Sequence, residues 1–293
     1  MTGALAALGS SVTWAIGTQV YPRLSREHSP FEVNGSRALV ALPLFLLAGL
    51  WVDGLEGWGA VSGANYGWMF LSMVSSYFLG DACFLWSTQA LGVPGALAIA
   101  STYPVWTALA GSVLKGEHLV LQQGVGVGFA VLGTLLVILS GFHLSRKAGA
   151  SRHYARGVLF GVLTSGFWAL NSWAVAAGGR GISALVGNSI RMAFALVLCS
   201  AASMILRKKA SIGLPVKVLA PHLPVFVFEA FGGSLLFLYG LTHTSLAVAS
   251  ALSSLAPVLA VPLAGWRKSE PLTASKVIGV CVAVLGVVLL LTA

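Results

Sequence analysis

Residues 33–51 read VNGSRALVALPLFLLAGLW, and residues 187–205 read GNSIRMAFALVLCSAASMI. Each stretch sets Asn and Arg three apart, Asn34 with Arg37 and Asn188 with Arg191, at the head of an apolar run. About 20 apolar residues rising 1.5 Å each cross the roughly 30 Å hydrocarbon core of a bilayer. Working outward, runs of that length recur almost end to end. They predict membrane spans at 3–20, 32–52, 66–88, 93–114, 119–141, 157–177, 183–206, 221–242, 245–265 and 272–292. Only the punctuation of Gly92-Val93-Pro94-Gly95 separates the third span from the fourth. The expected fold class is all-α: a polytopic bundle of ten transmembrane helices.

Composition supports that reading. Of 293 residues, 57% are hydrophobic and 9% charged, with a mean hydropathy of +0.89. Soluble domains carry about 25% charged residues, so this chain could not cover a water-facing surface. The 35 glycines suit close packing of membrane helices. The first apolar run lacks a charged leader and a cleavage site, and reads as a span rather than a signal peptide. Net charge is +9, but the basic residues sit in short loops and form no long basic face, so no nucleic-acid partner is expected. Cys83, Cys199 and Cys281 are far apart inside apolar runs. No metal site and no cofactor is expected.

Loop charge predicts orientation. Thirteen basic residues, among them Arg23, Arg146, Lys147, Arg156 and Lys268, lie in odd-numbered loops, against Lys115 and Arg180 in the even ones. The positive-inside rule puts the odd loops in the cytoplasm and both termini outside. The expected location is the cell (inner) membrane, with lipid as a partner.

Comparison of the halves reveals an internal repeat. Trp14-Ala15 matches Trp168-Ala169, and Asn34-x-x-Arg37 matches Asn188-x-x-Arg191, both at an offset of 154. After a one-residue shift, Gly80-x-x-x-Phe84-Leu85-Trp86 parallels Gly233-x-x-x-Phe237-Leu238-Tyr239. Pro104-Val105 matches Pro257-Val258, Glu117 matches Glu270, and Ala130–Gly133 matches Ala283–Gly286. The expected division is a first repeat over 1–141, a basic linker over 142–156 and a second repeat over 157–293. Five spans is an odd number, so the second copy must be inverted. Inverted repeats around a central cavity are an architecture of secondary transporters, which rock between inward-open and outward-open states.

The order and repetition of these motifs resemble the EamA domains of the drug/metabolite transporter superfamily. The matching features are a Trp in the first span of each half, an Arg early in the second, and a Pro in the fourth followed by Glu before the fifth. The resemblance covers roughly 3–141 and 157–292. It implies a basket-like bundle with a central cavity that moves small metabolites such as amino acids, often by export. It also implies cytoplasmic termini, against the loop charge.

Ionisable groups within spans are costly and are functional candidates. Arg37, Asp81, Arg191 and Glu229 qualify. Arg37, Arg191 and Glu229 are expected to form ion pairs or a gate. An Arg can instead hold a substrate carboxylate, or snorkel to the interface. Asp81 can bind and release a coupling proton, or pair statically with an Arg. Glu117 and Glu270 read as helix-start residues. The expected cavity residues are Trp14, Tyr77, Asp81, Trp86, Tyr103, Trp168, Asn171 and Tyr239, an aromatic and amide lining that suits an amphipathic or aromatic substrate. Pro104 and Pro257, each able to kink its helix, are the expected hinges.

The function expected is therefore secondary transport of a small metabolite, an amino acid first, by alternating access and in the export direction. Another metabolite or drug class is the alternative, as is a membrane-embedded enzyme. The chain lacks H-E-x-x-H, G-x-S-x-G, Walker A and filter-like sequences, which disfavours hydrolases, primary pumps and channels. The orientation is testable: a cysteine placed at Lys147 in a background without Cys83, Cys199 and Cys281 should react with a membrane-impermeant maleimide only in inside-out vesicles. Labelling from the other face would reverse the topology.

Overall fold

The computed structural model describes residues 1–115, 120–145, 151–207, 212–256, 258–259 and 274–292. The described residues are almost wholly helical and include no strand. In order come α1 (Thr2–Leu24), α2 (Pro30–Val52), a short α3 (Gly54–Gly59), α4 (Gly63–Met73), α5 (Gly80–Ala100), α6 (Tyr103–Lys115) and α7 (Leu121–Ser145). Then follow α8 (Ser151–Gly178), α9 (Ala184–Arg207), two single turns α10 (Val216–Leu219) and α11 (Leu223–Phe226), α12 (Ser234–His243), α13 (Leu246–Ser253) and α14 (Ala274–Thr292). Among the described residues, five helical stretches are long and apolar enough for a full crossing: Pro30–Val52, Gly63–Leu91, Ala155–Gly178, Ala184–Ile205 and Val216–His243.

Local chemistry starts the helices at equivalent places. Ser29 opens α2 with a capping box: its hydroxyl accepts from the Glu32 N–H at 3.1 Å, and the Glu32 carboxylate accepts from the Ser29 N–H at 2.7 Å. At the same offset of 154, the Ser183 hydroxyl accepts from the Val186 N–H at 3.1 Å and opens α9. The third and eighth spans share a second feature. Each contains a stretch of π-helix, Val74–Phe78 and Val227–Gly233, which start 153 residues apart. Such bulges loosen the backbone hydrogen-bond ladder and often mark functional sites.

Side-by-side contacts show how the halves relate. α1 runs antiparallel to α12 and the π-helical stretch before it: Gly3 lies against His243, Ala7 against Gly240 and Gly17 against Glu229. In the equivalent pairing between the halves, Gly157 of α8 lies against Leu91 and Ala90, and Trp168 against Gly80 of α5. The contact of Gly3 with His243 thus has its counterpart in Gly157 with Ala90. The equivalent helices α7 and α14 pack on each other with Gly133 against Ala283 and Gly286 against Ala130. They run antiparallel, and so do α2 and α9, where Gly35 meets Cys199 and Gly49 meets Leu185. Equivalent helices that run in opposite directions require one half to be inverted relative to the other.

Three sequence expectations change in detail. Helical turns continue through Gly92-Val93-Pro94-Gly95. The chain nevertheless turns back there: Ser87 donates to the Gly157 carbonyl at 2.8 Å, whereas Thr102 and Ser165 hydroxyls meet at 2.9 Å, further up α8. The linker expected over 142–156 is shorter, since 142–145 continue α7 and 151–156 begin α8. Pro104 lies in the first turn of α6, just after a break at Ser101–Thr102. A first-turn Pro loses no helix hydrogen bond, so Pro104 marks a helix start rather than a mid-helix kink. The second half breaks at the matching Ser254–Leu255, whereas Pro257, Glu117 and Glu270 lie outside the described residues.

Glycine places the backbones of α7 and α14 in contact, so a side chain at that crossing should separate them. Gly133→Leu should destabilise the protein by about 1–3 kcal/mol. Gly128→Leu, where an added side chain meets open space, should leave the detergent melting temperature unchanged. Equal shifts for both variants would contradict this packing.

Candidate functional site

A cavity of about 120 Å³ opens where the two halves meet, and its walls carry polar and aromatic side chains from both. It is small beside the roughly 300–1,000 Å³ of pockets for drug-sized ligands. None of the described residues lining it comes from α7 or α14.

The Asn-x-x-Arg pairs build its charged floor. A spacing of three puts both side chains on one helix face, and the contact forms in each half. Arg37 Nη1 donates to Asn34 Oδ1 at 2.9 Å, and Arg191 Nη1 donates to Asn188 Oδ1 at 2.8 Å. Each Asn also reaches its own half's π-distorted span: Asn34 Nδ2 donates to the Tyr77 carbonyl at 2.7 Å, and Asn188 Nδ2 to the Ser234 carbonyl at 3.0 Å. The amides thereby hold both guanidiniums toward the cavity.

Beyond that point the two arginines differ. Arg37, 3% exposed, forms a bidentate pair with Glu229, through Nε at 3.1 Å and Nη2 at 2.6 Å. Its Nη1 also pairs with the Asp81 carboxylate. The Tyr21 hydroxyl donates to Glu229 Oε2 at 2.6 Å, and Trp168 Nε1 donates to Asp81 Oδ1 at 2.9 Å. The Arg37 guanidinium also lies over three aromatic rings, at 4.2 Å from Tyr77, 4.7 Å from Tyr21 and 5.3 Å from Trp14. One cation between two carboxylates leaves the cluster with one surplus negative charge. Among the described residues Arg191, 2% exposed, hydrogen-bonds only to neutral acceptors: Ser72 Oγ at 3.1 Å, Asn188, and Asn171 Oδ1 at 3.3 Å. Both arginines are buried, so neither snorkels to an interface.

The aromatic wall comes from matching positions. Trp14 and Trp168 meet edge to face, ring centroids 5.8 Å apart, and Tyr103 adds a second edge contact to Trp168 at 6.0 Å. Of the residues singled out from sequence, Trp14, Tyr77, Asp81, Tyr103, Trp168 and Asn171 line the cavity. So do Arg37, Arg191 and Glu229. Trp86 and Tyr239 do not. Trp86 packs between Phe31 and Phe160, and Tyr239 stacks on His243 with centroids 3.9 Å apart. Both share a sequence motif with the cavity's third and eighth spans, but helix rotation turns them away from it. Sequence reading missed Tyr21, which has no aromatic partner at the repeat offset and sits just past the expected end of the first span.

The family model for EamA-like transporters matches residues 1–139 and 155–292. The chain belongs to the EamA-like transporter family. With its long apolar helices it is an integral multi-pass membrane protein. A curated protein of Archaeoglobus fulgidus, described as an uncharacterized transporter, is 25% identical over 167 residues. That stretch is 57% of this chain and only 55% of the relative, so the chain matches little more than half the relative's length. A crystal structure at 17% identity superposes with a TM-score of 0.76 and covers 99% of this chain and 95% of that one. That likeness is one of fold.

Removing Arg37 would strand two buried carboxylates, which costs about 3–5 kcal/mol where a buried pair is broken. Arg37→Met should therefore lower the melting temperature of the detergent-purified protein much more than Arg191→Met, which strands only neutral groups. Equal losses would deny the ion cluster its structural role.

Proposed function

We propose that this EamA-like transporter is a secondary carrier that moves a small zwitterion, an amino acid first, through the central cavity by alternating access. The observation that carries the reading is the pairing of opposite charges in one small cavity: a carboxylate-rich cluster with a surplus negative charge, and a separate buried cation. An amino acid presents the complementary pair of charges. The Trp14, Tyr103 and Trp168 faces offer contact area for an apolar or aromatic side chain.

The inverted relation of the halves supports alternating access, because two equivalent units can exchange roles about a shared site. In this reading the repeats over 1–141 and 157–293 are the moving units, and the paired breaks at Ser101–Thr102 and Ser254–Leu255 are where α6 and its counterpart flex. The contacts of Arg37 with Asp81 and Glu229 join the third span of one half to the eighth span of the other. Breaking and reforming them would gate the cavity. Asp81 is the group proposed to take a coupling proton, since protonation weakens its hold on Arg37. Export is the direction that the resemblance to EamA carriers implies.

Uptake of labelled amino acids by proteoliposomes of the purified protein tests the reading, with and without a pH gradient. At least one amino acid should accumulate above protein-free liposomes. Asp81→Asn should slow its movement about tenfold or more, while Glu117→Gln should leave it nearly unchanged. Equal rates for the two variants would remove Asp81 from the mechanism. A protein that moves no amino acid under any gradient would end the substrate reading.

A further inference from the structure

The duplicated frame allows the surroundings of the two arginines to be compared position by position. Arg37 and Arg191 are equivalent at an offset of 154, and the third and eighth spans are equivalent at 153. Asp81 therefore corresponds to Ser234, and Glu229 corresponds to Ser76. All four line the cavity. At the positions equivalent to the two carboxylates that pair with Arg37, the counterpart frame of Arg191 thus carries serine.

Arg191 keeps the same backbone placement, the same Asn three residues before it and nearly the same burial. A guanidinium has five N–H donors. Three of those on Arg191 are taken, by Ser72, Asn188 and Asn171. Two remain without a partner among the described residues. A buried cation with unfilled donors and, among the described residues, no carboxylate within hydrogen-bond reach is a poor structural element in a cavity wall but a ready receptor for an anion.

We propose that Arg191 is the docking point for the ligand's carboxylate, with Asn171 and Asn188 holding the guanidinium in place. The ligand class is a small molecule bearing one carboxylate. Its cationic or hydrogen-donating end would face the Arg37, Asp81 and Glu229 cluster. This deepens the zwitterion reading of the same cavity and rests on that reading for its cargo. It gives the two arginines different tasks: Arg37 closes the structure, and Arg191 reads the ligand.

The competing account is that Arg191 only balances the surplus charge of the cluster through space. Binding measurements on the full chain in detergent separate the two. The probes are the proteinogenic L-amino acids and their carboxamides, each titrated by thermal shift and confirmed by calorimetry. At least one acid should stabilise the protein, and its amide should bind at least tenfold more weakly. Arg191→Gln should bring acid and amide within about twofold of each other. Arg191→Lys, which keeps the charge but loses the planar fork, should retain part of the preference. Acid and amide binding equally to the native protein, or no acid binding at all, would overturn the assignment without need of a variant that folds. So would an Arg191→Gln protein that keeps the full preference. Carboxylate-selective binding without transport in proteoliposomes would sink the carrier reading and leave Arg191 its role. Transport that ignores the carboxylate would do the reverse.

Discussion

A guanidinium inside a membrane bundle has almost no water to solvate it, so its charge must be met by the protein. That requirement at Arg37 organises much of the interior. Its partners come from three directions: Asn34 from one turn earlier on its own helix, Asp81 from the third span, and Glu229 from the eighth. Tyr21 and Trp168 occupy further lone pairs of the two carboxylates, and three aromatic rings cover the guanidinium. Each contact is worth having only because the others are present, since a half-satisfied buried network costs more than an apolar one. The cluster also joins the halves, because Glu229 belongs to the second and the rest, Trp168 apart, to the first.

The frame is symmetric and its chemistry is not. Packing between halves uses the same devices twice: glycines where backbones touch, serine caps at 29 and 183, π-turns in the third and eighth spans. Those features carry shape, and shape has to be equivalent if two halves are to exchange conformations. Charge has diverged within that shape. One arginine sits between carboxylates, and its equivalent sits among serines and amides. A cavity built that way has a fixed polarity, which a perfectly symmetric pair of repeats could not provide. Such polarity is what the proposed zwitterionic ligand would need in order to be held in one orientation.

Helicity, membrane insertion, the duplication and the four intramembrane charges were all legible in the chain. Hydropathy acts locally, over the thickness of a bilayer, and a repeat register is a property of order alone. The Asn-x-x-Arg spacing likewise puts both side chains on one helix face, because a separation of three defines a face, and in both halves the Arg donates to the Asn. What only the tertiary structure decided was rotation and partnership. Trp86 and Tyr239 share motifs with residues of the cavity yet point elsewhere, and Pro104 begins a helix rather than bending one. Tyr21 joined the site unannounced. Sequence alone could not say which arginine takes the carboxylates, because Glu229 lies 192 residues from Arg37. Only the packing of α1, α2 and the eighth span brings them within hydrogen-bond reach.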